Sequence, residues 1–319
     1  LEVVSQQTSN VHLREVVMSI RDSVERGDTF SGSMAQHMKV FDEVYVGMVR
    51  SGEASGQLNN ILNDVATDVE KAASIQRKVK GALMYPMFIV GVLVIVMVCM
   101  MIFVIPKISE AFSGTGQALP WITQTLIDVS AWMNANVILF FTLIFGVVLG
   151  IFFGKRTYSG KRIWDWFVIH VPLFGSMVRK TILARFARTL GNLLRSGIPI
   201  IESLHIVAKG SGNSVYAERI VLAAEDLSRG IPMGESLLDS PIFPDMAVQM
   251  ISIGEQTAQL DSITGKIADY YEEEVDVAVA GLTKTIEPLI IVLLGVTVGG
   301  LVGAIMMPLI KFSQMAGSL

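Results

Sequence analysis

Three stretches of the chain run long enough without a charged side chain to cross a bilayer: residues 84–105, 132–153 and 288–310. At about 1.5 Å of rise per helical residue each reaches about 30 Å, the thickness of a hydrocarbon core. Elsewhere apolar residues recur every three or four positions, as in Ile182, Phe186, Leu190, Leu193 and Leu194, the signature of a helix with one buried stripe. No alternating strand pattern of useful length occurs. The expected fold is all-α, a polytopic membrane protein with two homologous cytoplasmic helical bundles and three transmembrane helices.

Lys and Arg resist translocation, so their placement gives a direction. Lys71, Arg77, Lys78 and Lys80 precede the first stretch, and Lys155, Arg156, Lys161 and Arg162 follow the second, whereas 106–131 offers only Lys107. The expected plan is therefore a cytoplasmic helical domain over 1–83, a span over 84–105, a short external loop over 106–131 and a span over 132–153. A second cytoplasmic domain over 154–287, a span over 288–310 and an external tail over 311–319 complete it.

Slid against itself by 202 positions, the chain pairs Phe41 with Phe243, Met48 with Met250, Gly52 with Gly254, Glu53 with Glu255, Leu58 with Leu260, Ile61 with Ile263, Glu70 with Glu272 and Pro86 with Pro288. Upstream the shift becomes 203, pairing Leu1 with Leu204, Glu15 with Glu218 and Gly27 with Gly230, so one residue is gained between the two stretches. Both copies lead from cytoplasmic helices into a span, a parallel duplication rather than an inverted-repeat transporter plan. A helical stretch over 175–196 precedes the second copy, and nothing equivalent precedes Leu1; the first copy is expected to lack its opening helices. Ser196, Gly197 and Pro199 predict a helix break, with further breaks at 210–213, 230–232 and 241–244.

Composition agrees with a membrane protein: 51% of residues are hydrophobic and 17% charged, and the net charge of -4 argues against a nucleic-acid partner. The sole cysteine, Cys99, sits within an apolar run and has no partner in the chain for a disulfide. There is no phosphate-cradling G-x-x-x-x-G-K-[ST] run, no G-x-S-x-G elbow, and the four histidines stand singly, so no catalytic, cofactor or metal residues are expected. The acidic run Glu272, Glu273, Glu274 and Asp276 reads as a solvated helix face, with a site for a partner's basic surface or for a divalent cation as its alternative. The expected spans lack ionisable groups, which argues against coupled transport. Gly146, Gly150 and Gly154, and Gly295, Gly299 and Gly303, recur every four residues and suit close helix packing, either within the chain or against another protein's membrane helix. Gly52, Glu53, Gly56, Gly254 and Glu255 read as glycine-capped helix ends whose Glu bonds nearby backbone amides, or else as partner or interface contacts.

The segment Arg185–Leu204, R-F-A-R-T-L-G-N-L-L-R-S-G-I-P-I-I-E-S-L, resembles the opening motif of the type II secretion system F proteins, a family that includes the platform proteins of type IV pili. The paired motifs M-V-R-S-G-E-A-S-G-Q-L, ending at Leu58, and M-I-S-I-G-E-Q-T-A-Q-L, ending at Leu260, belong with it, the second departing from Gly-Glu-x-x-Gly at Ala258. The resemblance implies a non-enzymatic inner-membrane platform, a homo-oligomer coupling a cytoplasmic assembly, retraction or secretion ATPase to pilin or pseudopilin transmembrane helices alongside other inner-membrane subunits. The readings from other classes are a small-molecule permease, which the lack of intramembrane charge disfavours, and a membrane signalling adaptor, which would need a larger external domain.

Overall fold

The structure is a computed structural model that describes residues 1–113, 121–172, 174–238 and 240–316. Its described residues form helices and turns. In chain order the helices are α1 (Glu2–Gln7), α2 (Val11–Glu25), α3 (Phe30–Ala35), α4 (Glu43–Ser55), α5 (Leu58–Cys99), α6 (Ile105–Ser113), α7 (Trp121–Ala135) and α8 (Val137–Gly154). They continue as α9 (Tyr158–His170), α10 (Phe174–Arg195), α11 (Ile200–Gly210), α12 (Ser214–Ser228), α13 (Met233–Leu238), α14 (Asp245–Gln256) and α15 (Leu260–Ala316). The chain divides into two units, one of residues 1–78 with 159–278, the other of 79–158 with 279–319.

Within the first unit the duplication is visible helix by helix. Shifting α2 and α3 by 203 positions lands on the bounds of α12 and α13, and shifting the start of α5 by 202 lands on Leu260. The extra residue therefore lies in the connection 36–42, whose counterpart is 239–244. Asn10 caps α2 by accepting the Leu13 amide, and its counterpart Asn213 caps α12 by accepting those of Val215 and Tyr216. Gly27 and Gly230 both take left-handed backbone, φ +99° and +87°, just past those helices.

The copies do not make the two separate bundles the duplication suggests. One core runs through both: Val44, Met48 and Ile61 of the first copy pack with Leu190, Leu193, Leu204, Ile220 and Ile251. Phe243 sets its ring edge-on to Phe186 and tilted to Tyr216. The first copy keeps a smaller cluster of its own in Val16, Ile20, Met34, Val46 and Val49. The physical reason is area. Helices of six to fifteen residues bury too little alone, and the apolar side of α4 is covered by α10 and α11.

Helix Leu58–Glu110 and helix Leu260–Gly300, which begin in the first unit and continue into the second, are long and apolar enough to cross a membrane. Met100–Val104 forms a π-helical turn, and the Met101 carbonyl accepts the Ser130 hydroxyl, giving this irregular backbone a partner. Met101, Ile105 and Met133 cluster with Ile108, Leu126 and Phe140. Two sequence expectations change here. The stretch over 106–131 is largely helical, as α6 and α7; residues 114–120 lie outside the described set. The second uncharged stretch is not one helix from 132, because Asn136 leaves helical geometry, φ -124° and ψ 34°, and the helix proper is α8, 18 residues long.

Candidate functional site

The repeated Gly-Glu motif closes α4 and α14 in the same way. After α4, Gln57 donates its amide to the Gly52 carbonyl at 2.8 Å and Gly56 donates to Glu53 at 3.5 Å, with Gly56 left-handed at φ +71°. After α14, Gln259 donates to Gly254 at 2.9 Å and Ala258 to Glu255 at 3.3 Å, and Ala258 takes φ +54°, the one non-glycine residue among those described with positive φ. Both are paired-bond glycine-type helix ends, and the second tolerates a Cβ where the first has none. The departure at Ala258 changes the cost of the turn and leaves its geometry intact.

The two glutamates reach back to the short helix immediately upstream of their own. Glu53 accepts the amides of Phe30 at 2.7 Å and Ser31 at 3.1 Å, and the Ser31 hydroxyl at 2.8 Å. Glu255 accepts the amides of Met233 at 2.9 Å and Gly234 at 3.2 Å, residues equivalent to Phe30 and Ser31. Each carboxylate thus caps the N-terminus of α3 or α13 from a different helix, satisfying two orphan donors. Burial pushes the Glu53 carboxyl up, but the bonds from Ser31 and Phe30 outweigh it and hold it below the usual carboxylate range. Gly52 and Gly254 let the following helix pass: a Cβ on Gly52 would stand 2.7 Å from Ile61, and one on Gly254 would stand 3.1 Å from Ile263.

Ser196, Gly197 and Pro199 form the turn from α10 to α11. Ile198 donates to Leu193 at 3.1 Å, Gly197 donates to Leu194 at 2.9 Å with φ +79°, and Pro199 stands just before the first helical residue, its carbonyl accepting the Ser203 amide at 2.8 Å. The Ser196 carbonyl also accepts the Ser51 hydroxyl, so this turn of the second copy meets the Gly-Glu motif of the first.

A polar seam beside the shared core is what the sequence reading missed. Arg195 donates to the Asn192 side chain, which in turn donates to Asp68 on α5. Burial pushes the Asp68 carboxyl up to about 6, against the downward pull of Asn192 and Arg188. Along α15, Glu272 meets Arg188 at 2.8 Å and Lys71 at 3.1 Å, Glu274 meets Lys180 at 2.6 Å, and Asp276 meets Lys78 at 2.7 Å; Arg188 and Lys71 also reach Asp269. The acidic run is therefore neither a bare solvated face nor a metal cage among the described residues, but one side of an ion-pair ladder. A signal was present: Lys71 and Lys78 lie seven apart, as do Asp269 and Asp276, a spacing that stacks charges along one helix face.

Among the described residues, a Cβ at Gly146, Gly150, Gly154, Gly295, Gly299 or Gly303 would meet no atom within 4 Å.

Such a molecule, a duplicated helical module joined to helices long and apolar enough to cross a membrane, with a Gly-Glu turn in each copy, has the makeup of a helical membrane protein. The family model for "Type II secretion system (T2SS), protein F" matches residues 1–106 and 186–308, and this chain belongs to that family. It is similar to the type IV pilus assembly protein PilC of Thermus thermophilus, 38% identical over 98% of this chain and 77% of that protein. It is similar also to the PilC of Myxococcus xanthus, 34% identical over 98% of this chain and 75% of that one. The type II secretion system protein F of Pseudomonas aeruginosa is 30% identical over 99% of this chain and 78% of its own length.

Proposed function

We propose that the chain is the inner-membrane platform of a type IV pilus or type II secretion machine, a scaffold without chemistry of its own. It would pass motion from a cytoplasmic ATPase to the membrane helices of pilin or pseudopilin subunits as a homo-oligomer among other machine subunits. The observation that carries the reading is the family match to both copies of the duplicated module, in relatives named for pilus assembly and for secretion.

Physical arguments support it. A chain with no phosphate cradle must take energy through contact, and a core shared between two copies gives a stiff body for transmitting force. The reading has three crossings over 84–105, 132–153 and 288–310, and the Lys and Arg bias supports placing 1–83 and 154–287 in the cytoplasm. The open glycine stripes suit a passing apolar helix. Glu53 and Glu255 are assigned here to holding the module together, since their carboxylates are engaged by α3 and α13.

The test is purification of the full chain from native membranes with mass spectrometry of what accompanies it. An assembly or secretion ATPase together with pilin-like proteins is the expected company, and their identity names the machine. A reporter fused next to Glu255 that reads as external, or nucleotide hydrolysis by the isolated protein, overturns the reading.

A further inference from the structure

Helix α9 carries two faces of different character. On one, Ile169 is fully buried in the core, and Asp165 is fastened to the start of α12: its carboxylate accepts the Ser214 amide at 2.8 Å and its carbonyl accepts the Asn213 side chain at 3.1 Å. On the other, Ile163, Trp166 and Phe167 are 69%, 54% and 53% exposed, and His170 stacks on Trp166 with ring centroids 4.3 Å apart. Spaced at three and four, these form one apolar and aromatic stripe turned away from the bundle.

Covalent continuity says what meets this stripe. Only Lys155, Arg156 and Thr157 separate α9 from the end of α8, so Tyr158 stands within about 15 Å of a helix with no charged residue, as four links of at most 3.8 Å dictate. That turn supplies Lys155 and Arg156 and the start of α9 supplies Lys161 and Arg162, while no Asp or Glu occurs from Val137 to Trp164. Arg156 already lies over the Phe152 ring, 5.4 Å from its centroid, and Arg162 is held by Glu218 at 3.0 Å. Aromatic and aliphatic side chains on one face, cations beside them and a membrane helix just upstream are the chemistry of the bilayer interface.

We propose that α9 is an interfacial helix: its Ile163, Trp166, Phe167 and His170 stripe enters the boundary between headgroups and acyl chains, and the neighbouring cations meet anionic lipid phosphates. The bundle is then moored to the membrane surface by a lipid contact as well as by its spans. This rests on α8 crossing the bilayer, part of the function proposed above.

The test uses the full chain with Cys99→Ala, reconstituted in vesicles containing phosphatidylglycerol, with single nitroxide labels at Ile163→Cys, Phe167→Cys, Leu143→Cys on α8 and Leu222→Cys on α12. All four native side chains are exposed, so the labels displace no core residue. Collision with oxygen is compared with collision with a water-soluble nickel chelate. The expected result is preference for oxygen at 143, 163 and 167 and for nickel at 222, with the oxygen-to-nickel ratio at 163 and 167 falling in vesicles of phosphatidylcholine alone. Nickel preference at 163 and 167 with oxygen preference at 143 overturns the interfacial assignment and leaves the span intact, as a surface kept for a protein partner would do. Nickel preference at 143 overturns the span and the inference with it, and a ratio indifferent to lipid charge overturns the role given to the cations.

Discussion

The two copies of the repeat share a backbone plan and differ in how each is held. The first copy caps α3 and α4 with the Thr29 and Asp42 side chains, whereas the equivalent positions of the second are Pro232 and Pro244, which fix the chain's direction without a side-chain bond. The second copy has α10 lying along α15, with Gly191 allowing close approach to Thr264, and holds most of the core; the first copy leans on that core through α4 and α5. Thus the parts common to both are the hinges, Asn-capped starts and Gly-Glu ends, while the packing side chains have diverged around them. Duplication preserves what sets backbone direction, since a changed turn redirects a whole helix and a changed core residue is absorbed by its neighbours.

Mutations in matched pairs break or sharpen this comparison. The largest difference is expected at the helix-crossing glycines. Gly52→Ala sets a Cβ against the Cγ1 and Cβ atoms of Ile61, which cannot swing away, and should cost about 2 kcal/mol, whereas Gly254→Ala needs its neighbours to give only slightly and should cost less than about 1 kcal/mol. Melting temperatures of the detergent-solubilised chain check this, and equal losses would mean that the copies are packed alike.

Next come the glutamates. Glu53→Gln and Glu255→Gln should each lose about 1–2 kcal/mol from charge-assisted bonds, Glu53 more because of the Ser31 hydroxyl. The Glu53 carboxyl is held below its unfolded value, so its contribution is present above the usual carboxylate range and is lost as pH falls through the folded value. The melting difference between wild type and Glu53→Gln should narrow accordingly between pH 7 and pH 3.

Asp68 behaves in the opposite sense. Its folded value near 6 lies above its ordinary value of 3.8, so the folded chain binds the extra proton, and stability is greatest below about 4 and falls as pH rises through 6. With the partial exposure of the group discounted, Asp68→Asn should stabilise by on the order of 1 kcal/mol at pH 7 and flatten that part of the pH profile. The smallest effect is at the left-handed turns. Ala258→Gly should gain about 0.5–1 kcal/mol by relieving the positive φ, and Gly56→Ala should lose about as much.

The sequence by itself determined the helical class, the doubling and its register, the breaks at Gly197 and Gly230, and the family, because each rests on local chemistry: hydrophobic period, turn residues and repeated motifs. It also pointed to Glu53 and Glu255 as bonded to backbone amides. That those amides begin α3 and α13, some 22 residues upstream, is a matter of tertiary structure. So are the single core joining the copies, the ladder that neutralises Glu272, Glu274 and Asp276, and the raised proton affinity of Asp68. Each of these depends on which helices lie side by side. Pairing between distant helices is set by the area they bury together and by burial's effect on charge, and neither quantity can be read from residues in chain order.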